Sequence, residues 1–161
     1  MLVADNRIDR RVLDEARSLV RAGWDVTVIS GPPPAPDNRQ DEESYPDINI
    51  LRINDRRAEM LLGEIDQLRL NQTLACFPNW NLLGINLIHN HLLVEAITRP
   101  AEIYVAHDLP QLPAAAMAAS FHRSYLVYDS HELFTELYPE RPDFKPQHTQ
   151  IEAWFISFAD L

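Results

Sequence analysis

The chain has 161 residues, of which 46% are hydrophobic and 24% charged, a composition typical of one globular domain with a sizeable core. Its formal net charge of −10 at pH 7 argues against general nucleic-acid binding, because a phosphate backbone would be repelled. Cys76 is the only cysteine, which excludes an internal disulfide and favours a reducing, cytoplasmic setting. No apolar run approaches the ~20 residues that span a bilayer, and no signal peptide is visible.

Helical and strand patterns alternate along the chain. After a stub of a strand at residues 1–4, the predicted elements are a helix at 8–22, a strand at 24–30, a proline-rich loop at 31–47, a strand at 48–53, two helices within 57–98 broken near Phe77-Pro78-Asn79, a strand at 102–106, a helix from about Pro110, a strand at 124–128 and a last helix after a loop at 139–146. This alternation predicts an α/β, Rossmann-like fold: one domain over residues 1–161, with a parallel sheet and helices on both faces.

Polar side chains follow three of the predicted strands. The first strand leads into Asp5-Asn6-Arg7, the strand at 102–106 into His107-Asp108, and the strand at 124–128 into Asp129-Ser130-His131-Glu132. In open α/β sheets, ligands bind outside the carboxyl ends of the strands, where the strand order reverses. In a 3-2-1-4-5 order the three clusters would meet at one edge, so the sequence predicts a site there.

Structural interpretations of these residues stay open. Asp108 could simply cap the helix that follows it, and a histidine at a strand end is often structural. Two histidines and two carboxylates could also form a metal site, the less favoured reading. The letters H-N-H at 89–91 fall within a predicted helix and indicate a helix surface. The sequence has neither a G-x-G-x-x-G motif nor a P-loop, which argues against the usual dinucleotide site.

Three blocks of the sequence resemble the N-terminal half of family-4 glycosyltransferases. They are R-I-D-R-R-V-L-D-E-A-R-S-L-V-R-A-G-W-D-V-T-V-I-S at 7–30, A-E-I-Y-V-A-H-D-L-P-Q-L-P-A-A-A at 101–116 and L-V-Y-D-S-H-E-L-F-T-E at 126–136. Members of that family are retaining enzymes with two Rossmann-like domains, the GT-B fold. The resemblance implies sugar transfer from a nucleotide-sugar donor to an acceptor, with retention of anomeric configuration and with neither a metal nor another cofactor.

The resemblance also assigns roles to individual residues. His131 corresponds to the family histidine at the floor of the interdomain cleft, where it would hydrogen-bond to sugar or phosphate oxygens and stabilise developing charge. Asp108 would be a partner of the acceptor hydroxyl. The residues expected to line the cleft on the acceptor side are Asp5, Arg7, His107, Asp108, Ser130 and Glu132. The loop at 5–7 lacks the glycines that many relatives carry, which argues against a donor-phosphate role.

The family's C-terminal domain, with its paired glutamates that grip the donor, is absent from the sequence. We therefore expect the isolated chain to be inactive and the donor to be bound by that missing domain. The expected acceptor is a glycan or a glycolipid, and a lipid-linked acceptor would bring the protein into peripheral contact with the inner membrane face. Arg10, Arg17 and Arg21 could face anionic lipid, but interleaved acids favour a solvated surface.

Two other functional classes share the same features. The chain could be a non-catalytic module that binds an acceptor or anchors a catalytic subunit, or it could be half of a GT-B epimerase or phosphorylase. In the last helix, one face is apolar and consists of Ile151, Trp154, Phe155 and Phe158. Either that face completes the core of the domain, or it is open and favours self-association.

Overall fold

The structure, a computed structural model, describes residues 1–3, 8–32, 46–53, 55–77, 91–133, 136–137 and 144–161. The candidate residues Asp5 and Arg7 lie outside this part of the chain. Most of the proline-rich loop and the first two letters of H-N-H also lie outside it. Among the helices that the structure does describe, none is both long and apolar enough to cross a bilayer.

One parallel sheet organises the described residues. Its strands are β1 Leu2–Val3, β2 Thr27–Ser30, β3 Asn49–Arg52, β4 Ile103–His107 and β5 Tyr125–Asp129. They lie in the order β3-β2-β1-β4-β5, and every neighbouring pair is parallel. This is the 3-2-1-4-5 order considered in the sequence analysis, and the predicted α/β, Rossmann-like class is confirmed. The strand order reverses between β1 and β4, where the carboxyl ends of the strands open a site.

The helices cover both faces of the sheet. They are α1 Arg10–Arg21, α2 Asp55–Leu62, α3 Gln67–Ala75, α4 His91–Ile97, α5 Leu112–His122 and α6 Phe144–Phe155, with 3₁₀ turns at Leu109–Gln111 and Ile156–Phe158. On one face, α1 buries Val12, Leu13 and Ala16 against β1 and β2. On the other face, the alanine-rich α5 is buried nearly all round beside β4 and β5.

The expectation of two helices within 57–98 is wrong, because the described residues of that range form three. The extra break lies between α2 and α3. There the N–H of Gly63 donates to the carbonyl of Met60 at 3.2 Å, and Asp66 caps α3 by accepting a hydrogen bond from the N–H of Arg69 at 3.1 Å. A glycine followed three residues later by an aspartate is a helix stop followed by a helix start.

A buried carboxylate joins two of these helices. Glu95 on α4 is fully buried, and its Oε1 lies 2.7 Å from Nε of Arg57 on α2. Its Oε2 lies 3.4 Å from Nε of Arg99, just beyond the carboxyl end of α4. A buried charge is tolerated only when opposite charges compensate it, so the two arginines hold this part of the core together.

The last helix packs against the core of its own chain. Phe155 is buried and stacks on Phe77, with ring centroids 5.7 Å apart, while Ile151 and Trp154 are partly buried against the same core. Phe158 is 37% exposed but lies 4.5 Å from Phe77, centroid to centroid. Of the two interpretations of this apolar face, the structure therefore supports the one in which it completes the core.

The end of the described chain runs along β5. The N–H of Asp160 donates to the carbonyl of Leu126 at 2.8 Å, and the N–H of Tyr128 donates to the carbonyl of Leu161 at 3.0 Å. The carboxylate of Asp160 also accepts a hydrogen bond from the N–H of Leu126 at 2.9 Å. These contacts cover part of the β5 edge, which would otherwise present unpaired main-chain groups.

Candidate functional site

Two histidines meet at the carboxyl edge of the sheet. His107 is the last residue of β4 and pairs in register with Asp129, the last residue of β5. His131 follows two residues later, and its ring centroid lies 5.2 Å from that of His107. The prediction that both imidazoles lie at the same edge of the sheet is confirmed. Asp108, Ser130 and Glu132 belong to the same group of strand ends.

A single carboxylate oxygen holds both imidazoles. Oδ2 of Asp129 lies 2.6 Å from Nε2 of His131 and 3.2 Å from Nδ1 of His107. An ionised carboxylate only accepts hydrogen bonds, so Nε2 of His131 carries a proton. Nδ1 of His131 is directed away from Asp129 and lies 4.0 Å from Oδ2 of Asp108.

Asp129 was predicted to lie at this edge, but no role was assigned to it from the sequence, although it is the centre of this group. A signal for that role existed, because side chains two residues apart in an extended chain point to the same side, and Asp129 and His131 are spaced in this way. Glu15 was not selected from the sequence. Its Oε2 lies 4.0 Å from Nε2 of His107, a proximity that only the packing of α1 onto the sheet creates.

The two imidazoles differ in burial. The side chain of His107 is 1% exposed and that of His131 is 11% exposed. Burial lowers the pKa of His107 to about 4, although the Asp129 carboxylate works in the opposite direction. Burial also raises the pKa of Glu15, and the negative charge of Asp129 adds to that effect. His107 is therefore neutral near pH 7, and His131 is the histidine that reaches the surface.

The burial of His107 predicts how stability depends on pH. An unfolded histidine takes up its proton near pH 6.5, whereas His107 does so only near pH 4. The unfolded state thus binds more protons in this window, and the free energy of unfolding should fall by roughly 3 kcal/mol as the pH drops from 6.5 to 4. Urea unfolding of the wild type and of His107→Gln across that range checks this. The prediction is contradicted if the free energy of unfolding depends on pH equally in the two proteins.

Asp108 does not have the helix-capping role that the sequence left open. Its side chain makes no capping hydrogen bond to the 3₁₀ turn that follows, and its backbone has φ 66 and ψ 167. Its Oδ1 instead accepts hydrogen bonds from the N–H of His131 at 2.8 Å and the N–H of Glu132 at 3.2 Å. The carboxylate of Asp108 therefore caps the loop after the neighbouring strand.

Ser130 and Glu132 lie at the outer side of the group. The hydroxyl of Ser130 donates to the carbonyl of Glu132 at 2.9 Å, which closes the turn. The carboxylate of Glu132 is exposed, with Oε1 3.9 Å from Nη2 of Arg11 on α1. Arg11 also pairs with the helix cap Asp9 at 2.8 Å, and this hydrogen bond lowers the pKa of Asp9 to about 2. The site thus has a charged rim around a largely buried imidazole pair.

A metal ion could be held only by a rearranged form of this group. His107, Asp129 and His131 each offer one ligand atom, and these atoms lie within 4.8 Å of one another. Around a tetrahedral zinc with bonds of about 2.0–2.1 Å, neighbouring ligand atoms stand roughly 3.3 Å apart. The distance of 2.6 Å between Asp129 and His131 is shorter than that and is typical of a hydrogen bond. The geometry therefore favours a hydrogen-bonded network.

A shallow depression of about 600 Å³ opens at the opposite end of the sheet. It is bordered by Trp24 and by the first residues of β4 and β5, Ile103 and Tyr125. His122 also lines it, with Nε2 2.7 Å from the carbonyl oxygen of Ile97. That imidazole is engaged by the main chain, and the charged side chains around the depression are Glu102 and Arg123.

The fold and the site define a class of protein: an α/β domain with ionisable groups at the point where the strand order reverses, the usual place for a ligand in such sheets. Residues 8–161 match the family described as Glycosyl transferase 4-like domain. Because this match covers nearly the whole chain, the chain belongs to that family. No curated protein and no solved structure matches it.

Proposed function

We propose that this chain is the acceptor-side, N-terminal domain of a retaining glycosyltransferase that moves a sugar from a nucleotide-sugar to a glycan or a lipid-linked acceptor. One observation carries the proposal. In a chain that belongs to the Glycosyl transferase 4-like family, Asp129 holds His107 and His131 together at the carboxyl edge of the sheet. A ligand of an open α/β domain would meet this edge.

The proposed reaction breaks the bond between the anomeric carbon and the donor phosphate oxygen. The acceptor hydroxyl oxygen forms a new bond to that carbon on the same face, and its proton passes to the departing phosphate oxygen. Negative charge develops on that phosphate, where a preorganised N–H donor lowers the barrier. His131 supplies such a donor when Nδ1 carries a second proton, because Nε2 already donates to Asp129 and the side chain is partly exposed.

The exposed carboxylate at the edge suits an acceptor that carries hydroxyl groups. That of Glu132 is 52% exposed and can accept hydrogen bonds from sugar hydroxyls. A second domain would bind the nucleotide of the donor. With a lipid-linked acceptor, the domain would meet the inner membrane face without inserting into it.

The test is a transfer assay on the protein translated from the complete reading frame that contains this chain. A panel of nucleotide-sugars is offered with glycan and lipid-linked acceptors, and the anomeric configuration of the product is read by NMR. We expect a product with the configuration of the donor sugar. Epimerisation of the nucleotide-sugar, phosphate-dependent cleavage of a glycan, or acceptor binding without turnover would each contradict the proposal and identify one of the rival classes.

Chelation of metal ions should leave this transfer intact. The distances around Asp129 fit hydrogen bonds, and the charge of the leaving phosphate would be met by protein donors. We expect turnover in excess EDTA to stay within about twofold of the untreated rate, a change too small to represent the loss of a catalytic metal. Loss of turnover in EDTA, restored by one divalent ion, would contradict the metal-independent mechanism.

A further inference from the structure

Asp108 has a backbone conformation that aspartate rarely adopts. With φ 66 and ψ 167, it is one of two non-glycine residues with positive φ in the described part of the chain, the other being Arg123. Arg123 lies in the left-handed region at the end of α5, a common helix ending. The combination at Asp108 belongs to a region used almost only by glycine, and such strain persists only where the surrounding contacts enforce it.

Three hydrogen bonds enforce this conformation: one joins Asp108 to the last residue of β5, and two join it to the segment that follows β5. The N–H of Asp108 donates to the carbonyl of Asp129 at 2.9 Å, directly after the last paired residues of β4 and β5, His107 and Asp129. Its Oδ1 accepts the N–H groups of His131 and Glu132. This strained backbone conformation directs the carboxylate of Asp108 toward the loop that follows the neighbouring strand, β5.

The consequence is that His131 has two anchors from two strand ends. Asp108 fixes its main chain, and Asp129 fixes its ring. Without the first anchor, the loop at 130–132 would lose its acceptor, and the ring would no longer be held in a single place. Oδ1 of Asp108 already accepts hydrogen bonds from two main-chain N–H groups, so this oxygen is engaged by the protein itself.

We propose that Asp108 is a positioning residue, which keeps the imidazole of His131 in place by capping the loop after β5. This inference rests on the proposed function for its effect on turnover. It also replaces the role of acceptor-hydroxyl partner that the family resemblance assigned to Asp108. Charge is not the essential property, because a neutral amide oxygen can accept the same two hydrogen bonds.

Three substitutions in the full-length protein separate these roles. Asp108→Ala removes the acceptor, and we expect kcat to fall by about 10²-fold with the KM for the acceptor within a few-fold, as for a displaced catalytic group. Asp108→Asn keeps an acceptor oxygen and should retain most of kcat. Asp108→Gly should be as slow as Asp108→Ala but melt at a higher temperature, because glycine adopts positive φ without strain. Arg123→Gly is the matched control: it should raise the melting temperature and leave kcat unchanged.

A structural readout keeps the inference testable without turnover. Hydrogen exchange of the His131 and Glu132 amides should accelerate roughly tenfold or more in Asp108→Ala and Asp108→Gly, because each amide loses a charged acceptor, and much less in Asp108→Asn. Unchanged exchange in Asp108→Ala would overturn the positioning role. If Asp108→Asn and Asp108→Ala lose kcat equally and both raise the KM for the acceptor, Asp108 contacts the substrate and the inference is wrong. Exchange that behaves as expected in a protein without transferase activity would refute the proposed function alone.

Discussion

Replacing His131 by alanine in the full-length protein should lower turnover by about 10²-fold or more, the usual effect of losing one preorganised donor to a charged transition state. Its Nε2 is hydrogen-bonded to Asp129, so in the proposed mechanism the donor is Nδ1, carrying a second proton. The fold should remain intact, because the ring lies at the edge of the sheet and not in the core. Steady-state kinetics and circular dichroism of the variant check both expectations.

A matched control for this experiment is His122→Gln. His122 lies at the other end of the sheet, on the final residue of α5, and its ring nitrogen contacts the carbonyl of Ile97. Glutamine can supply an N–H to that carbonyl, so the variant should keep both its fold and its turnover. Turnover of His131→Ala close to that of His122→Gln would remove His131 from the catalytic site.

Removing both arginines that face Glu95 should lower the free energy of unfolding by about 3–5 kcal/mol, because a fully buried carboxylate would lose its compensating charges. The double variant Arg57→Ala with Arg99→Ala is compared with the wild type by urea unfolding. Adding Glu95→Gln should restore part of the loss, since the buried group is then neutral. Arg56, an exposed residue on the same helix as Arg57, provides the control. Arg56→Ala should change the free energy of unfolding by no more than about 0.5 kcal/mol. A double variant as stable as this control would show that the buried ion pairs contribute nothing.

Asp129, the last residue of β5, links the two histidines of the site. The buried ring of His107 lies 3.2 Å from the same carboxylate oxygen that is bonded to Nε2 of His131. The polar residues at 129–132 in the segment Y-D-S-H-E-L therefore have different roles. Asp129 and Ser130 hold the loop and the ring, whereas His131 and Glu132 are available to a ligand.

The sequence by itself was sufficient for the order of the elements and for the edge of the sheet that carries the site. Alternating periodicity located the strands, and the carboxyl ends of neighbouring parallel strands must lie together, so His107 and His131 could be placed side by side before any coordinates. The break at Gly63 and Asp66 was also present in the sequence as a stop followed by a cap, but it was overlooked within a longer apolar pattern.

Only the tertiary structure decided which groups touch. Glu15 looks like a solvent-facing residue of an amphipathic helix until α1 is laid on the sheet, because helical periodicity fixes a side chain's direction but not what the helix packs against. The carboxylate of Asp108 contacts the loop after β5. This contact depends on a backbone conformation that local propensity disfavours for aspartate and that long-range hydrogen bonds enforce. The burial of Glu95 between two arginines was equally hidden, since burial of a charge depends on partners distant in sequence.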